Sequence, residues 1–161
     1  MSIRVFNLCE KPELVHAVAQ CAWSEWVSHW QESGKTHEAL LADKKRHLAP
    51  DSLPTTFVAL EDDQFIGFVS LIEEDVSRCP ELVPQVASLV VEPRFRGRGF
   101  AKQLLEAVVD HGHARGFSSI YLCAAPSLSV FYRNYGWQLI DEDADGLFVF
   151  KRVAFESTTL V

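Results

Sequence analysis

The segment from residue 94 to residue 102 holds the side chains best suited to chemistry. Four of its residues are cations: Arg94, Arg96, Arg98 and Lys102. Gly97 and Gly99 lie among them. Glycine lets the backbone approach a ligand closely, and backbone amides at the start of a helix attract anions, phosphate above all. The segment therefore predicts a phosphate-binding turn.

Two common phosphate motifs do not fit this turn. The dinucleotide fingerprint needs a third glycine at the position where this chain has Lys102. The P-loop needs a Gly-Lys-Ser/Thr sequence, which does not follow at the required spacing. The sequence thus argues against a Rossmann site and against a P-loop.

The turn is basic although the chain is acidic. The 161 residues include 15 basic and 22 acidic ones, for a net charge of −7, and 48% of the residues are hydrophobic. Without the four cations of the turn, the remainder has 11 basic and 22 acidic residues, or −11. The composition is that of one globular domain, and the acidity argues against a nucleic-acid partner.

The sequence predicts a cytoplasmic protein without a membrane partner. No apolar run approaches the roughly 18 residues of a membrane span, and the first residues lack the pattern of a signal peptide. The four cysteines contain no C-x-x-C pair and are expected to be free thiols in a reducing compartment. They are Cys9, Cys21, Cys79 and Cys123.

The hydrophobic pattern predicts one α/β domain over residues 1–161 with the order β-α-α-β-β-β-α-β-α-β-β. Strands are predicted at 3–8, 55–60, 65–73, 86–91, 119–124, 137–140 and 147–153. Helices are predicted at 10–30, 36–47, 98–115 and between Ser127 and Gly136. Residues 86–91 are a continuous apolar run, typical of a central strand buried on both faces. The phosphate-binding turn thus joins a central strand to a long amphipathic helix.

Two motifs in this framework carry a family resemblance. Residues 91–101 read Val-Glu-Pro-Arg-Phe-Arg-Gly-Arg-Gly-Phe-Ala, and residues 131–137 read Phe-Tyr-Arg-Asn-Tyr-Gly-Trp. The first resembles the Val-x-Pro-x-x-Arg-Gly-x-Gly-x-Ala/Gly signature of the GNAT N-acetyltransferases. The second is similar to their aromatic-Tyr-x-x-x-Gly-aromatic motif. The two motifs lie in the order of that family, and so does the predicted order of strands and helices.

The resemblance implies a fold and a reaction. The fold is a mixed, largely antiparallel sheet of about seven strands flanked by about four helices, with a splayed strand pair forming the coenzyme A slot. The reaction moves an acetyl group from acetyl-coenzyme A to an amine acceptor by direct attack in a ternary complex. No metal is expected, since the six histidines lack metal-ligand spacing: on a helix, His111 and His113 diverge by about 200°.

The resemblance also assigns residues to coenzyme A. Leu89, Val90 and Val91 would bind the pantetheine arm. The pyrophosphate would lie on the phosphate-binding turn, whose contributing residues are Arg96, Gly97, Arg98, Gly99, Phe100, Ala101 and Lys102. Many relatives carry an asparagine before the second motif, and this chain has Ser127 nearby as the replacement contact.

Tyr132 is the general acid implied by the second motif. A phenol with a pKa near 10 is a suitable proton donor for the departing thiolate. The base is less defined, because residues 85–88 hold no carboxylate where many relatives have a glutamate. Glu81 is the tentative base or water positioner. Glu73, Glu74 and Asp75 are alternatives, and all of these carboxylates also fit a solvated acidic turn.

Three further interpretations stay open in the sequence. The chain fits a non-catalytic coenzyme A-binding sensor, or an acetyltransferase of protein N-termini or lysines. The acidic balance mildly favours a cationic small amine, such as a polyamine or an aminoglycoside. Trp23, Trp26 and Trp30 fit core packing, a homodimer surface or a wall of the acceptor pocket.

Overall fold

One seven-stranded sheet forms the centre of the protein. The computed structural model describes residues 3–74, 76 and 78–154. Within them, the sheet order is β1-β2-β3-β4-β5-β7-β6, and neighbouring strands are antiparallel except for β4 and β5. The strands are β1 (Ile3–Asn7), β2 (Thr55–Glu61), β3 (Gln64–Ile72), β4 (Gln85–Val91), β5 (Ser119–Ala124), β6 (Gln138–Glu142) and β7 (Phe148–Val153). The predicted sheet of about seven strands is confirmed.

Helices cover both faces of the sheet. They are α1 (Val15–Glu25), α2 (Val27–Ser33), α3 (His37–Lys45), α4 (Phe100–Ala114) and α5 (Ser129–Asn134). Alternate residues of a strand point to opposite faces. On β3, Val69 packs in the core under α4, whereas Phe68 packs in the core under α1 and α3. The protein is therefore a three-layer α/β/α structure with two cores.

The predicted single helix over 10–30 is wrong, because the chain breaks it at Trp26. Trp26 has φ −122° and ψ 33°, which ends α1 and begins α2. The indole of Trp30 donates a hydrogen bond to the carbonyl of Ala22 at 2.9 Å. That carbonyl is the acceptor that the amide of Trp26 needs, and the amide lies at 3.3 Å from it. The indole and the amide thus share one carbonyl at the position where α1 ends.

Strands β4 and β5 meet at one position and then diverge. Gln85 is paired with Tyr121, and no later residue of β4 is paired with the described part of β5. On its other side β4 carries a bulge, since residues 88 and 89 lie opposite a single residue of β3. Ser88 has φ +61° at this bulge. The splayed strand pair implied by the resemblance is present.

The splay corrects the prediction for residues 86–91. A central strand buried on both faces was expected, but the four residues from Val86 to Leu89 are only partly buried. Because β5 turns away, one side of β4 lacks a neighbouring strand over this stretch. The apolar run therefore lines an opening.

A buried polar network ties the segment after α3 to the sheet. His47, which is 3% exposed, shares a 2.7 Å hydrogen bond between its Nδ1 and Oγ1 of Thr56. Thr56 Oγ1 lies 2.7 Å from Ser70 Oγ. Burial first, and then the charge of Lys44, lowers the pKa of His47 from 6.5 to about 4. His47 is therefore neutral at pH 7.

Acid is expected to destabilise the fold through His47. An unfolded chain takes up a proton at this histidine near pH 6.5, and the folded chain does so near pH 4, so stability falls as the pH drops between these values. We expect acidification from pH 7.5 to 4.5 to cost about 2–3 kcal/mol more in the wild type than in His47→Gln. Urea unfolding at both pH values measures the difference. The exposed His16, changed to Gln, is the control, and an equal loss in wild type and His47→Gln would contradict the assignment.

Candidate functional site

A groove of about 450 Å³ lies between β4, the turn before α4, and α5. Its walls are mainly apolar and aromatic, with cations at one end. The lining residues are Glu25, Leu89, Val90, Val91, Phe95, Arg96, Gly97, Gly99, Phe100, Ala101, Lys102, Leu128, Phe131, Tyr132 and Tyr135. The groove thus brings together the two motifs that lie about 30 residues apart in the chain.

The turn before α4 presents backbone amides to the groove. Gly99 is the N-cap residue, with φ +87°, and no side chain caps the helix. Gly97 also has a positive φ, of +78°. An L-residue with a side chain is strained in this region, which explains both glycines. The first amides of α4 lack intrahelical acceptors, so the end of the helix suits a phosphate group.

Two hydrogen bonds hold the Arg96 side chain in the lining of the groove. Its Nε donates to the carbonyl of Val91 at 2.8 Å, and its Nη2 donates to Oε2 of Glu25 at 3.0 Å. Glu25 ends α1 and was not expected in the site, because no family motif falls in residues 10–50. No residue pattern around Glu25 indicates this position. An anionic ligand at the turn would compete with Glu25 for the Arg96 guanidinium.

Two residues assigned to coenzyme A lie outside the groove lining. The guanidinium of Arg98 donates to Oε1 of Glu61 at 2.9 Å, and its charge lies 5.1 Å over the ring of Phe100. Arg98 therefore links the turn to β2 through this hydrogen bond. Ser127 is exposed, and the next residue, Leu128, is the one that lines the groove. Contacts of Arg98 and Ser127 with coenzyme A stay predictions.

Tyr132 is the buried hydroxyl-bearing side chain of the groove. It is 7% exposed, and its ring packs on those of Phe131, Trp137 and Phe150 at centroid distances between 5.0 and 6.2 Å. Burial raises the pKa of its phenol above the ordinary value of 10. Tyr132 thus holds its proton at neutral pH and is fixed in place by aromatic packing, as a proton donor requires.

The other aromatic residues of the groove lie next to Tyr132. Phe131 and Tyr135 stack edge-on at 4.9 Å, and Lys102 lies 5.4 Å over the ring of Tyr135. Leu128 precedes Tyr132 by four residues and Tyr135 follows it by three, so helical spacing puts both on the same face as Tyr132. This spacing is the signal that could have found both residues from the sequence.

The comparison with protein families identifies the family of the chain. A family model described as the acetyltransferase (GNAT) family matches residues 15–137. That range is most of the chain, and it contains both motifs of the groove. The chain belongs to the GNAT acetyltransferase family. Acetyl-coenzyme A is therefore the acetyl donor, and an amine is the acceptor.

Individual relatives agree with this family. N-alpha-acetyltransferase 30 of Schizosaccharomyces pombe is 39% identical over 67 residues, which is 42% of this chain and 44% of that protein. The match thus spans less than half of that relative. Aminoglycoside N(6')-acetyltransferase type 1 of Salmonella typhimurium is 34% identical over 99 residues, or 56% of this chain and 68% of that protein.

A solved structure supports the fold. The PaiA N-acetyltransferase of Thermoplasma acidophilum, crystallised in complex with coenzyme A, superimposes with a TM-score of 0.68 at 22% identity. The superposition covers 96% of this chain and 100% of that one. The whole described chain of this acetyltransferase is thus accounted for by one fold.

A second cavity, of about 200 Å³, lies on the other side of the β4 bulge from this groove. Ser88 lines this cavity, and the next residue, Leu89, lines the groove. Glu74 also lines it, whereas the exposed Glu81 and Glu73 line neither space. Asp75 lies outside the described residues. The role of Glu81 as base stays a prediction, and Glu74 is the carboxylate that reaches a cavity beside the bulge.

Three tryptophans, Trp23, Trp26 and Trp30, pack against the second core. Trp26 and Trp30 meet edge-on at 6.3 Å, and Trp23 packs on His37 at 5.4 Å. All three pack against the core beneath α1 and α3, and they line neither the groove nor the second cavity. The core interpretation is the one their contacts support.

The described residues hold neither a metal-binding cluster nor a membrane-spanning helix. No cluster of three or more His, Cys, Asp or Glu side chains within residues 3–74, 76 and 78–154 could hold a metal ion. None of the helices in those ranges has the length and apolar character needed to cross a bilayer.

Proposed function

We propose that this acetyltransferase moves the acetyl group of acetyl-coenzyme A to an amine by direct attack in a ternary complex, with Tyr132 as the general acid. One observation carries the proposal: the amide-rich turn and the Tyr132 side chain line the same groove. A donor with pyrophosphate at one end and a thioester at the other can therefore engage both. The reacting end would lie near the β4 bulge, where the groove and the second cavity share consecutive residues.

The donor would be held by backbone groups and by charge. Amides of Gly97, Gly99 and the first turn of α4 would bind the pyrophosphate, assisted by the cations of Arg96 and Lys102. The pantetheine arm would lie along Leu89 to Val91, on the side of β4 that β5 leaves unpaired. Both interactions use main-chain groups that the fold fixes in advance, which is the condition for tight positioning.

The chemical step needs three proton transfers. The acceptor ammonium first loses one proton, and the resulting amine attacks the thioester carbonyl. The carbon–sulfur bond then breaks, Tyr132 gives its proton to the departing thiolate, and the second proton lost by the nitrogen returns to the Tyr132 phenolate. The raised pKa of Tyr132 keeps the phenol proton available. Glu74, on the acceptor side of the bulge, is our candidate for accepting the amine proton through water; Glu81, the carboxylate favoured by sequence, lies outside both spaces.

The cysteines support direct attack over an acyl-enzyme. None of the four lines the donor groove. Burial raises the pKa of Cys21 to about 12 and that of Cys123 to about 11, so both are thiols at neutral pH. A thiol is a poor nucleophile compared with a thiolate.

Thiol release in the presence of amines tests the proposal. We expect free coenzyme A to appear only when acetyl-coenzyme A and an acceptor are both present, with an equal amount of acetylated amine by mass. The panel includes small amines and peptides with free N-termini, since the relatives are named for N-alpha and aminoglycoside acetylation. Coenzyme A binding without thiol release from any amine would instead support a sensor.

We also infer that the enzyme is cytoplasmic and has a single domain. All four cysteines are free, which suits a reducing compartment. Arg96 and Arg98 of the basic turn pair with Glu25 and Glu61, which leaves less charge for a nucleic acid. A homodimer stays a prediction.

A further inference from the structure

A buried lysine faces the second cavity without a counter-ion. Lys44 is 5% exposed and lines this cavity of about 200 Å³. Across the described residues, its ammonium forms no ion pair and no side-chain hydrogen bond; it lies 5.4 Å over the ring of Phe68. A buried ammonium without a partner is costly to the fold. A methionine would fill the same space without that cost, so the cation needs another explanation.

The charge around this cavity differs from that of the chain. Its lining includes three basic residues, Lys35, Lys44 and Arg46, and two acidic ones, Asp43 and Glu74. Asp43 is already paired with Arg46 at 3.0 Å. Among the described lining residues, the remaining charges are two cations and one carboxylate, in a protein whose net charge is −7. The cavity therefore offers a local positive site to a ligand.

The cavity also reaches the place where the acetyl group is transferred. Ser88 and Leu89 are consecutive in the β4 bulge, and one lines the cavity while the other lines the donor groove. A molecule in the cavity can thus extend one end toward the thioester. Glu74 and Lys44 line the cavity together, so it presents one carboxylate and one ammonium to the same small molecule.

We propose that Lys44 binds a compact oxyanion on the acceptor, so that the acceptor is a small amine that also carries a carboxylate or phosphate. This inference rests on the proposed transfer of acetyl to an amine. The anion pairs with Lys44, and the amino group lies toward Glu74 and the bulge. Such a zwitterionic acceptor differs from the polyamine or aminoglycoside that the acidity of the whole chain favours. The charge of the cavity, and not that of the surface, determines which acceptor enters.

The titration of Lys44 agrees with an anionic ligand. Burial lowers its pKa from 10.5 to about 8, although Asp43 acts in the opposite direction. At neutral pH the ammonium is still mostly charged, but its charged form is destabilised. An anion in contact with it would relieve that destabilisation and so gain affinity.

Matched acceptor pairs test the proposal. The wild-type chain is assayed for thiol release with ω-amino acids of two to six carbons, with the ω-amino amides of the same length, and with ω-aminoalkyl phosphates. We expect kcat/KM for the preferred anion to exceed that for its amide at least tenfold, about 1.4 kcal/mol. The carboxylate and phosphate series show which oxyanion fits.

Lys44→Met tests the residue, and Lys45→Met is its matched control. Lys45 is the adjacent, exposed lysine of the same helix, so both variants lose one charge. We expect Lys44→Met to bring the anion-to-amide ratio of kcat/KM close to one, and Lys45→Met to keep the wild-type ratio. Equal turnover of anions and amides in the wild type, or a ratio that survives Lys44→Met, would overturn the site.

A binding measurement separates this proposal from the proposed function. The same amines are titrated by calorimetry into the chain saturated with coenzyme A, where no transfer occurs. If the oxyanions bind more tightly than the amides, and this difference requires Lys44, the site is supported. This holds even if no amine releases thiol, since the absence of thiol release would overturn only the proposed acetyl transfer. Thiol release from amides and anions alike, without any difference in binding, would overturn the site and leave the transfer intact.

Discussion

Replacing Tyr132 with phenylalanine is expected to lower kcat by about 100-fold or more, in the range of a lost general acid. The ring stays, so its packing on Phe131, Trp137 and Phe150 is preserved. Only the hydroxyl group is lost, so the thiolate must leave without receiving a proton from this residue. Binding of acetyl-coenzyme A should weaken less than about threefold, because the donor is held mainly by main-chain groups of β4 and the turn. Steady-state thiol release and calorimetry measure the two quantities.

Tyr135→Phe is the matched control for this prediction. Tyr135 lines the same groove, three residues along the chain, and loses the same hydroxyl. Its phenylalanine variant should keep kcat close to that of the wild type. Equal losses in the two variants would mean that the groove needs its hydroxyl groups for general polarity. Unchanged turnover in Tyr132→Phe would remove the role assigned to this residue.

The second large effect is expected from Gly99→Ala, which should weaken coenzyme A binding by about 10-fold to 100-fold. A carbon added at Gly99 meets no protein atom within 4 Å, so it points into open space beside the N-terminus of α4. We place the pyrophosphate of the donor at that N-terminus. The methyl group would therefore obstruct the ligand directly, and calorimetry with coenzyme A measures the loss.

Gly34→Ala separates this obstruction from backbone strain. Gly34 ends α2 with φ +76°, close to the +87° of Gly99, and its added carbon also meets nothing within 4 Å. Both variants should lose about 1–2 kcal/mol of stability from strain. Thermal unfolding should show similar losses, whereas only Gly99→Ala should bind coenzyme A poorly. Parallel losses of affinity would attribute the effect to strain in general.

The donor half of the site could be predicted from the sequence. Gly97, Gly99 and Tyr132 were assigned from two motifs because such turns and short helices are local structures, built from residues close together in the chain. The sheet followed from strands of alternating or continuous apolar residues, each visible as a separate segment. What was local in the chain could thus be predicted.

Other parts of the site and the fold depend on contacts between distant segments. Glu25 reaches the groove only because α1 packs across the sheet and pairs with Arg96, 71 residues later. Lys44 resembles any surface lysine in the sequence, and its burial arises from packing over Phe68 of β3. The break at Trp26 depends on where one indole finds its acceptor. The hydrophobic periodicity of the sequence does not indicate such contacts.

The divergence of β4 from β5 gives the sheet an edge in its interior. The outer edges, β1 and β6, are exposed to any extended chain, which proteins have to guard against. The inner one runs beside the groove, where a slender chain with amide groups can reach it. We expect the pantetheine arm to pair with this edge, so that the substrate would complete the sheet as a temporary strand.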